Sequence, residues 1–474
     1  MRAFSAVIAL IAVPLASAAT QSDVYTASYN AFFANSHVSG LPAGTVVAAP
    51  SKSNPDYFYH WVRDASVVMA AALDLAKDGA ASGSPRQDME DLLTAYVNLA
   101  KNEQNTNTIA GLGEPKFNAD GSAFNGAWGR PQNDGPALRA LTLTGYANFI
   151  LANRPNSVSF VKSVMYDGAF PTNSVIKKDL EFVSNGWTAD SVDLWEEVSG
   201  TQFYTRMVQR TSLINGAKLA TTLNDPGAAN WYNKQAASIQ TALDAHWDSN
   251  GQYLRATINK KYGPGAKTSD LDVSVILAAL YSERFDKDTA VYPPWNDRVL
   301  QTTVTLVNRM KTVYPINSDA SLPVVVGRYP EDIYDGIGFS GGNPWPLATV
   351  ALAEQAYRNA AHYCETATLP VTSALAGYLS TLAKTNVATG TYASSAPQFA
   401  PAIKAMFAYG DSVMARTVQL AAQQNDGDVS LSEEWQRSTG NKQGAPKLTW
   451  SAVAFMQAVR VQGASRTKCA AFLK

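Results

Sequence analysis

Three carboxylates and an indole lie close together in segment 193–198, whose sequence is Asp-Leu-Trp-Glu-Glu-Val, although only 16% of the chain is charged. Like charges at this spacing disfavour one another's ionised forms, so we expect at least one carboxyl of the segment to have a raised pKa if the segment is partly buried. A carboxyl that stays protonated near neutrality can donate a proton to a leaving group. The flat indole suits a sugar ring. The segment therefore predicts acid catalysis on a carbohydrate, with an exposed acidic helix start as the alternative.

Further segments place aromatic residues beside charged or amide side chains, and they fall between predicted helices. They are segments 54–64, 111–117, 128–136, 327–332, 342–345 and 431–435. Each one alone has an ordinary explanation as a salt bridge, a core aromatic cluster or a proline-rich connector. Together they supply flat faces for sugar rings and forked donors and acceptors for neighbouring hydroxyls, which favours a saccharide site.

The elements that must position these segments are mostly helices, because apolar residues recur at helical spacing along the chain. Met89, Leu92, Leu93 and Tyr96 are one example. The predicted helices are 66–79, 88–104, 135–153, 175–187, 202–223, 227–248, 269–282, 296–313, 345–364, 370–384, 400–423 and 449–463. The polar stretches 254–268 and 425–447 are predicted to be loops, and no alternating run is long enough to predict a sheet.

Several predicted helices are rich in alanine and apolar around much of their circumference, which predicts an inner layer covered by an outer one. Consecutive pairs of inner and outer helices would close into an all-α toroid. No Ser/Thr-rich linker divides the sequence, so residues 19–474 are expected to form one catalytic domain. A solenoid of helical pairs is the alternative, although the sequence shows no repeated period.

The charge balance argues against several classes of partner. The chain has 38 basic and 39 acidic residues, which leaves no electrostatic footprint for nucleic acid or an anionic membrane. None of the four histidines has a partner at metal-ligand spacing, and a calcium-loop pattern is not visible. We therefore expect no metal, no cofactor, no nucleic-acid partner and no membrane partner.

The N-terminus has the pattern of a signal peptide over residues 1–18. Arg2 precedes an apolar core at 6–15, and Ala-Ser-Ala at 16–18 forms a small-residue cleavage site. The apolar core is too short to span a membrane, and the alternative is a buried first helix. We expect a secreted protein. In an oxidising compartment Cys364 and Cys469 should pair, with two separate buried thiols as the alternative.

Taken together, the motifs resemble the fungal glucoamylases, the glycoside hydrolases of family 15. The matching segments are 54–64, 113–118, 128–140, 193–198, 327–334, 343–345 and 431–433, in the family's order. The resemblance implies an (α/α)₆ barrel that acts on starch, dextrin and maltooligosaccharides. It implies exo-acting release of β-glucose, with inversion, from non-reducing ends by cleaving α-1,4 bonds, and α-1,6 bonds more slowly. We expect a monomer.

Carried over by position, Glu196 resembles the general acid and Glu433 the general base. An inverting glycosidase needs one protonated and one ionised carboxyl, roughly 6.5–9.5 Å apart, with a water between the base and the anomeric carbon. Arg63 and Asp64 match the clamp on the terminal glucose. The full set of substrate contacts implied by the resemblance is Tyr57, Trp61, Arg63, Asp64, Trp128, Asp193, Trp195, Glu197, Arg328, Asp332 and Trp345.

The chain departs from the family pattern at three places. His60 replaces the usual threonine, Glu434 follows the proposed base, and segment 335–342 is longer than in the shortest members. We expect Glu434 to raise the pKa of Glu433 and the longer loop to reshape outer subsites. We expect no starch-binding module of the kind found in the family, and therefore weak adsorption to raw starch. The alternatives are a relative that acts on trehalose or isomaltose, and a non-catalytic carbohydrate-binding protein.

Overall fold

The computed structural model describes residues 19–265 and 267–474, so the predicted signal peptide at 1–18 lies outside the described residues. Within them the chain forms fourteen α-helices. They are α1 Gln21–Ser36, α2 Val62–Ala81, α3 Gln87–Asn105, α4 Asp134–Asn153, α5 Val158–Phe160, α6 Val175–Gly186, α7 Phe203–Thr222, α8 Pro226–Leu243, α9 Ser274–Phe285, α10 Asp297–Val313, α11 Pro346–Thr366, α12 Ser373–Thr381, α13 Phe399–Ala421 and α14 Thr449–Lys468.

Six of these helices form a closed inner ring. Helices α2, α4, α7, α9, α11 and α14 each pack against the next, and α14 returns to α2. Their burial explains their composition, because a helix covered on all sides carries apolar or small residues all round. In α4, for example, the residues from Asp134 to Thr144 are all buried.

A second layer of six helices covers the ring. Helix α1 packs on α14, α3 on α2, α6 on α4, α8 on α7, α10 on α9 and α13 on α11. These helices bury one face, as Met89, Leu92, Leu93 and Tyr96 do in α3. The alternation of outer and inner helices along the chain gives the (α/α)₆ barrel that the sequence predicts.

Short antiparallel strands lie in the connections between helices. Strand β1 Tyr59–Trp61 pairs with β2 Lys116–Asn118, and β4 Ser199–Gln202 pairs with both β3 Ser191–Val192 and β7 Thr257–Tyr262. The remaining pairs are β5 Trp247–Asp248 with β6 Tyr253–Leu254, β8 Thr368–Val371 with β9 Gly390–Ala393, and β10 Glu434–Trp435 with β11 Lys442–Gln443. In these registers Trp61 lies opposite Lys116, and Ser191 opposite Gly200.

Three local predictions were wrong, and helix α1 was not predicted. The stretch 425–447, which the sequence predicts to be a loop, contains the short strands β10 and β11. The stretch 254–268 contains β7, whose partner β4 is distant in sequence and therefore invisible to a local pattern. Helix α8 ends at Leu243 rather than at residue 248. Helix α1 was missed, although Thr20 and Asp23 form a capping box at its start, which is a sequence signal for a helix N-terminus.

A disulfide joins Cys364, near the end of α11, to Cys469, directly after α14, with their Cα atoms 5.5 Å apart. The predicted pairing is therefore confirmed, and it ties together two neighbouring helices of the inner ring. Within the part of the chain that the structure describes, none of the helices is both long and apolar enough to span a membrane.

Candidate active site

A cavity of about 370 Å³ lies where connections enter the N-terminal ends of the inner helices. Its lining includes eleven of the thirteen residues predicted from the sequence: Tyr57, Trp61, Arg63, Asp64, Trp128, Trp195, Glu196, Glu197, Arg328, Trp345 and Glu433. The other two, Asp193 and Asp332, are buried behind the lining. A second cavity of about 380 Å³ lies between α10, α12 and α13 and contains none of the predicted residues.

Segment 193–198 forms the turn between β3 and β4. The Asp193 carboxylate accepts hydrogen bonds from the N–H groups of Glu197 (2.8 Å) and Val198 (3.0 Å), and lies 3.3 Å from the Lys267 ammonium. Asp193 therefore holds the turn instead of reaching the cavity. Glu196 sits in this turn with φ of +68°, a left-handed conformation that non-glycine residues seldom adopt. Backbone strain of this kind is typical of functional positions.

Glu196 accepts hydrogen bonds from two neutral donors. The indole N–H of Trp61 and the amide of Gln132 both reach its Oε1, at 2.8 and 3.0 Å. Gln132 is oriented in turn, because its oxygen accepts from Arg63, whose guanidinium also forms a two-point pair with Asp134. No protein hydrogen bond to Oε2 is found within the described residues, so that oxygen is available to a substrate.

Glu197 has different partners. Arg328 Nη2 lies 2.8 Å from its Oε1, and the Tyr329 hydroxyl donates to its Oε2 at 2.6 Å. Burial raises the pKa of Glu197 above its usual value, although Arg328 opposes that shift. The raised pKa expected in the segment is therefore found at Glu197, with burial as the larger cause, and it gives no support to the assignment of Glu196 as the acid. A carboxyl paired with a guanidinium is less suited to proton donation than Glu196.

Glu433 lies in the connection between α13 and α14 and is fully buried by the protein. Its Oε1 accepts from the Tyr57 hydroxyl at 2.8 Å, and its Oε2 accepts from the Ala445 N–H at 2.9 Å. Burial raises its pKa to about 7, while these hydrogen bonds act in the opposite direction. Gly444 is required here, because a Cβ at this residue would lie 2.4 Å from Glu433 Oε2.

Glu434 is buried away from the cavity lining. Its Oε2 accepts from the Asn343 amide at 2.7 Å, and its Oε1 has no hydrogen-bond partner among the described residues. Burial and the adjacent charge of Glu433 raise the pKa of Glu434 well above its usual value. The structure thus changes the expectation from the sequence: burial and the charge of Glu433 favour the protonated form of Glu434, and burial is the main reason for the raised pKa of Glu433.

The remaining polar lining is suited to sugar hydroxyls. Asp64, in the first turn of α2, has a pKa raised to about 7 by burial. Arg328 forms a two-point pair with Asp332, with both N–O distances 2.7 Å, so Asp332 fixes the guanidinium from behind. The Arg328 guanidinium lies 5.1 Å from the Tyr334 ring and 5.5 Å from the Trp345 ring, which supply flat faces beside it.

Lys116 packs among the aromatic side chains that line the cavity beside Glu196. Its ammonium lies 3.3 Å from the ring centroid of Trp128 and 4.5 Å from that of Trp61, and Tyr59 and Phe124 complete the enclosure at 4.2 Å each. Burial lowers its pKa to about 8. Cation–π attraction to several rings holds Trp61, and hence the donor to Glu196, in place.

Sequence reasoning assigned no role to several residues of the site. Gln132 lies within a recognised motif, yet nothing local shows that its amide reaches Glu196. Tyr334, at the end of the matching segment 327–334, and Trp450, which has no distinctive local pattern, also line the cavity. Across residues 19–265 and 267–474, no group of three or more His, Cys, Asp and Glu side chains is arranged to hold a metal ion.

Comparison with known proteins agrees with this arrangement. The family model described as "Glycosyl hydrolases family 15" matches residues 28–460. The chain belongs to glycosyl hydrolase family 15. Among curated family 15 relatives, the glucoamylase of Blastobotrys adeninivorans is 39% identical over 90% of this chain and 68% of that protein. Glucoamylase-1 of Schizophyllum commune is 35% identical over 90% of this chain and 69% of that protein.

Solved structures of family 15 enzymes share the fold. The glucoamylase from Saccharomycopsis fibuligera superposes with a TM-score of 0.83 at 27% identity, covering 95% of this chain and 97% of that one. The family 15 glucoamylase from Hypocrea jecorina gives a TM-score of 0.83 at 30% identity, covering 94% and 72%. The family resemblance and the barrel fold expected from the sequence are both confirmed.

Proposed function

We propose that this family 15 enzyme is a glucan 1,4-α-glucosidase, a glucoamylase that removes glucose from the non-reducing ends of starch, dextrins and maltooligosaccharides. The named relatives are glucoamylases, which supports the activity. One observation carries the mechanistic part: Glu196 and Glu433, from connections far apart in sequence, face one cavity and accept hydrogen bonds from neutral donors.

In the proposed reaction Glu196 donates a proton to the glycosidic oxygen as the bond from that oxygen to C1 breaks. Glu433 takes a proton from a water that attacks C1 from the opposite face, so the product is β-glucose. After one turnover Glu196 is ionised and Glu433 protonated, and exchange with solvent restores both. The side chains of Arg63, Asp64 and Arg328 bind hydroxyls of the terminal glucose.

The burial of the polar lining supports exo-action. Arg63 and Arg328 are each 3% exposed and Trp450 is 4% exposed, so the groups proposed to bind the terminal glucose are almost wholly covered by protein. A chain end fits such a cavity, whereas an internal segment would need an exit on both sides. We therefore propose that one terminal glucose enters at a time, with α-1,6 bonds cleaved more slowly.

We further propose that the chain is exported, is monomeric and forms a single catalytic domain over residues 19–474. The signal-peptide pattern and the disulfide between Cys364 and Cys469 support export, because disulfides persist in oxidising compartments. The ring of inner helices, which extends from α2 to α14, supports one domain.

Product analysis of maltoheptaose hydrolysis tests the proposal. We expect glucose and maltohexaose as the first products, with rates on trehalose and isomaltose below the rate on maltose. A ladder of internal fragments would contradict exo-action. Faster hydrolysis of trehalose or isomaltose would point to another α-glucosidase of the same family, and no hydrolysis at all would point to a carbohydrate-binding protein.

A further inference from the structure

Three exposed apolar side chains line the active-site cavity. Trp128 is 38%, Ile337 64% and Phe339 73% exposed, and all three line the same cavity. Exposed apolar residues that converge on one site usually mark a surface that a ligand or partner covers. Ile337 and Phe339 belong to the long segment 335–342. This segment has no role in proton transfer or in binding the terminal glucose.

Segment 335–342 is held in a defined conformation. The Asp335 carboxylate accepts from the N–H groups of Ile337 (3.2 Å) and Gly338 (2.6 Å), and the Gly341 N–H donates to the Ile333 carbonyl at 3.0 Å. Such local side-chain to backbone bonds fix a turn. The loop that carries the exposed side chains of Ile337 and Phe339 is therefore held in place by these hydrogen bonds.

The loop is also attached to the hairpin that carries the base. Gln443 of β11 donates to the Asp335 carbonyl at 2.6 Å, and a Cβ at Gly336 would lie 2.5 Å from the Gly444 Cα. The Phe339 ring is 6.2 Å from that of Tyr334, whose hydroxyl lies 3.0 Å from the Tyr57 hydroxyl. The exposed side chains are thus fixed relative to Glu433.

The exposed residues Ile337 and Phe339 and the buried residues of the cavity should contact different parts of the substrate. Arg63, Arg328 and Glu433 are at most 3% exposed, so the terminal glucose must occupy the inner part of the cavity. The glucosyl units beyond the bond to be cut then extend toward the exposed side, where Ile337 and Phe339 lie. The apolar faces of pyranose rings can cover these side chains while their hydroxyl edges stay in water.

We propose that Phe339 and Ile337, together with Trp128, form a platform for the leaving-group glucosyl units of a linear α-1,4-glucan. This proposal rests on the proposed function. It identifies residues that would determine the enzyme's preference for longer chains on the leaving-group side of the bond. The platform contributes binding energy for longer chains and takes no part in bond cleavage. Its effect should therefore appear in kcat/KM for oligosaccharides and leave kcat nearly unchanged.

The test compares substrates with and without leaving-group sugars. In Phe339→Ala we expect kcat/KM for maltoheptaose to fall by roughly five- to tenfold through KM, because an exposed aromatic face is lost. For α-glucosyl fluoride, which has no leaving-group sugar, kcat/KM should be unchanged. Ile337→Ala should show the same pattern with a smaller loss, and the double variant a larger one.

Two variants serve as matched controls. Ile333 is a 44% exposed isoleucine outside the cavity lining, and Phe170 is an 80% exposed phenylalanine elsewhere. Ile333→Ala and Phe170→Ala should leave both substrates unaffected. Equal losses on both substrates in Phe339→Ala, or no loss on either, would overturn the platform while the wild type still released glucose. A wild type inactive on maltoheptaose would overturn the proposed function itself.

Discussion

Buried carboxyls toward the C-terminal ends of the inner helices have different partners from the two proposed catalytic carboxyls at the N-terminal ends. Toward the C-terminal ends, Asp74 of α2 lies 2.8 Å from Arg284 and 3.3 Å from Arg460. Arg358 of α11 pairs with Glu354 at 2.6 Å and with Glu283. At the N-terminal ends, the two proposed catalytic carboxyls receive their hydrogen bonds from an indole, an amide, a phenol and a peptide N–H, as far as the described residues show.

The site also contains ion pairs, such as Arg63 with Asp134 and Arg328 with Asp332, so the kind of partner distinguishes the two catalytic carboxyls from the other buried carboxyls. A cation beside a buried carboxylate stabilises the ionised form and ties it to the fold. Neutral donors orient a carboxyl and leave it able to gain or lose a proton. Burial of Glu433 among such donors raises its pKa to about 7, close to the range in which a base must work.

Replacing the carboxyls that have neutral donors should produce the largest effects. Glu196→Gln and Glu433→Gln should each lower kcat on maltotriose by roughly a thousandfold or more, because one proton transfer is lost. Glu197→Gln should mainly raise KM, since Glu197 is paired with Arg328. Steady-state kinetics measure both constants, and a larger loss of kcat in Glu197→Gln would reassign the acid.

Breaking the ion pairs at the opposite end should affect stability and spare catalysis. Arg358→Ala leaves Glu283 and Glu354 buried without their cation, which should cost about 3–5 kcal/mol in the free energy of unfolding. Urea denaturation measures this loss, and kcat at 25 °C should stay near wild type. As a control, Arg86→Ala removes an exposed pair with Asp88 and should cost about 0–1 kcal/mol. Similar losses in the two variants would contradict the comparison.

Glu433, by contrast, should lower the free energy of unfolding as pH rises. Folded Glu433, with its pKa raised to about 7, keeps a proton that the unfolded chain releases near pH 4.5, so stability falls between these values. Glu433→Gln removes this dependence and should gain on the order of 1–3 kcal/mol relative to wild type by pH 8. Melting temperatures at pH 4.5 and pH 8 test this, and a gain that shrinks with rising pH would contradict it.

The smallest effect is expected at the neighbouring carboxyl. Burial and the charge of Glu433 raise the pKa of Glu434 and so favour its neutral form. Glu434→Gln should therefore leave unchanged the loss of kcat/KM that occurs when Glu433 becomes protonated at low pH. A pH–rate profile on maltose provides the measurement. A shift of the acidic limb by more than about half a pH unit would show that Glu434 carries a charge beside the base.

Much of the fold could be predicted from the pattern of apolar residues. Inner helices are apolar around most of their circumference, whereas outer helices are apolar on one face. Strand β7 could not be predicted, since its partner β4 is distant in the chain. The predicted end of α8 was too late because a tight turn and the local hairpin of β5 with β6 follow Leu243 directly. The candidate site was predicted as a set of segments with the right chemistry. What separates Glu196 from the identical Glu197 is which side chains they meet, and those partners lie 64 to 135 positions away in sequence. No local pattern contains that information.

The most direct test of paired acid and base action by Glu196 and Glu433 is the anomeric form of the first product. Proton NMR during the first minutes of maltoheptaose hydrolysis, before mutarotation, distinguishes the two anomers of glucose. We predict that β-glucose appears first and that the α-anomer grows only at the rate of mutarotation. Initial α-glucose would contradict inversion and the assignment of Glu433 as the base that activates water.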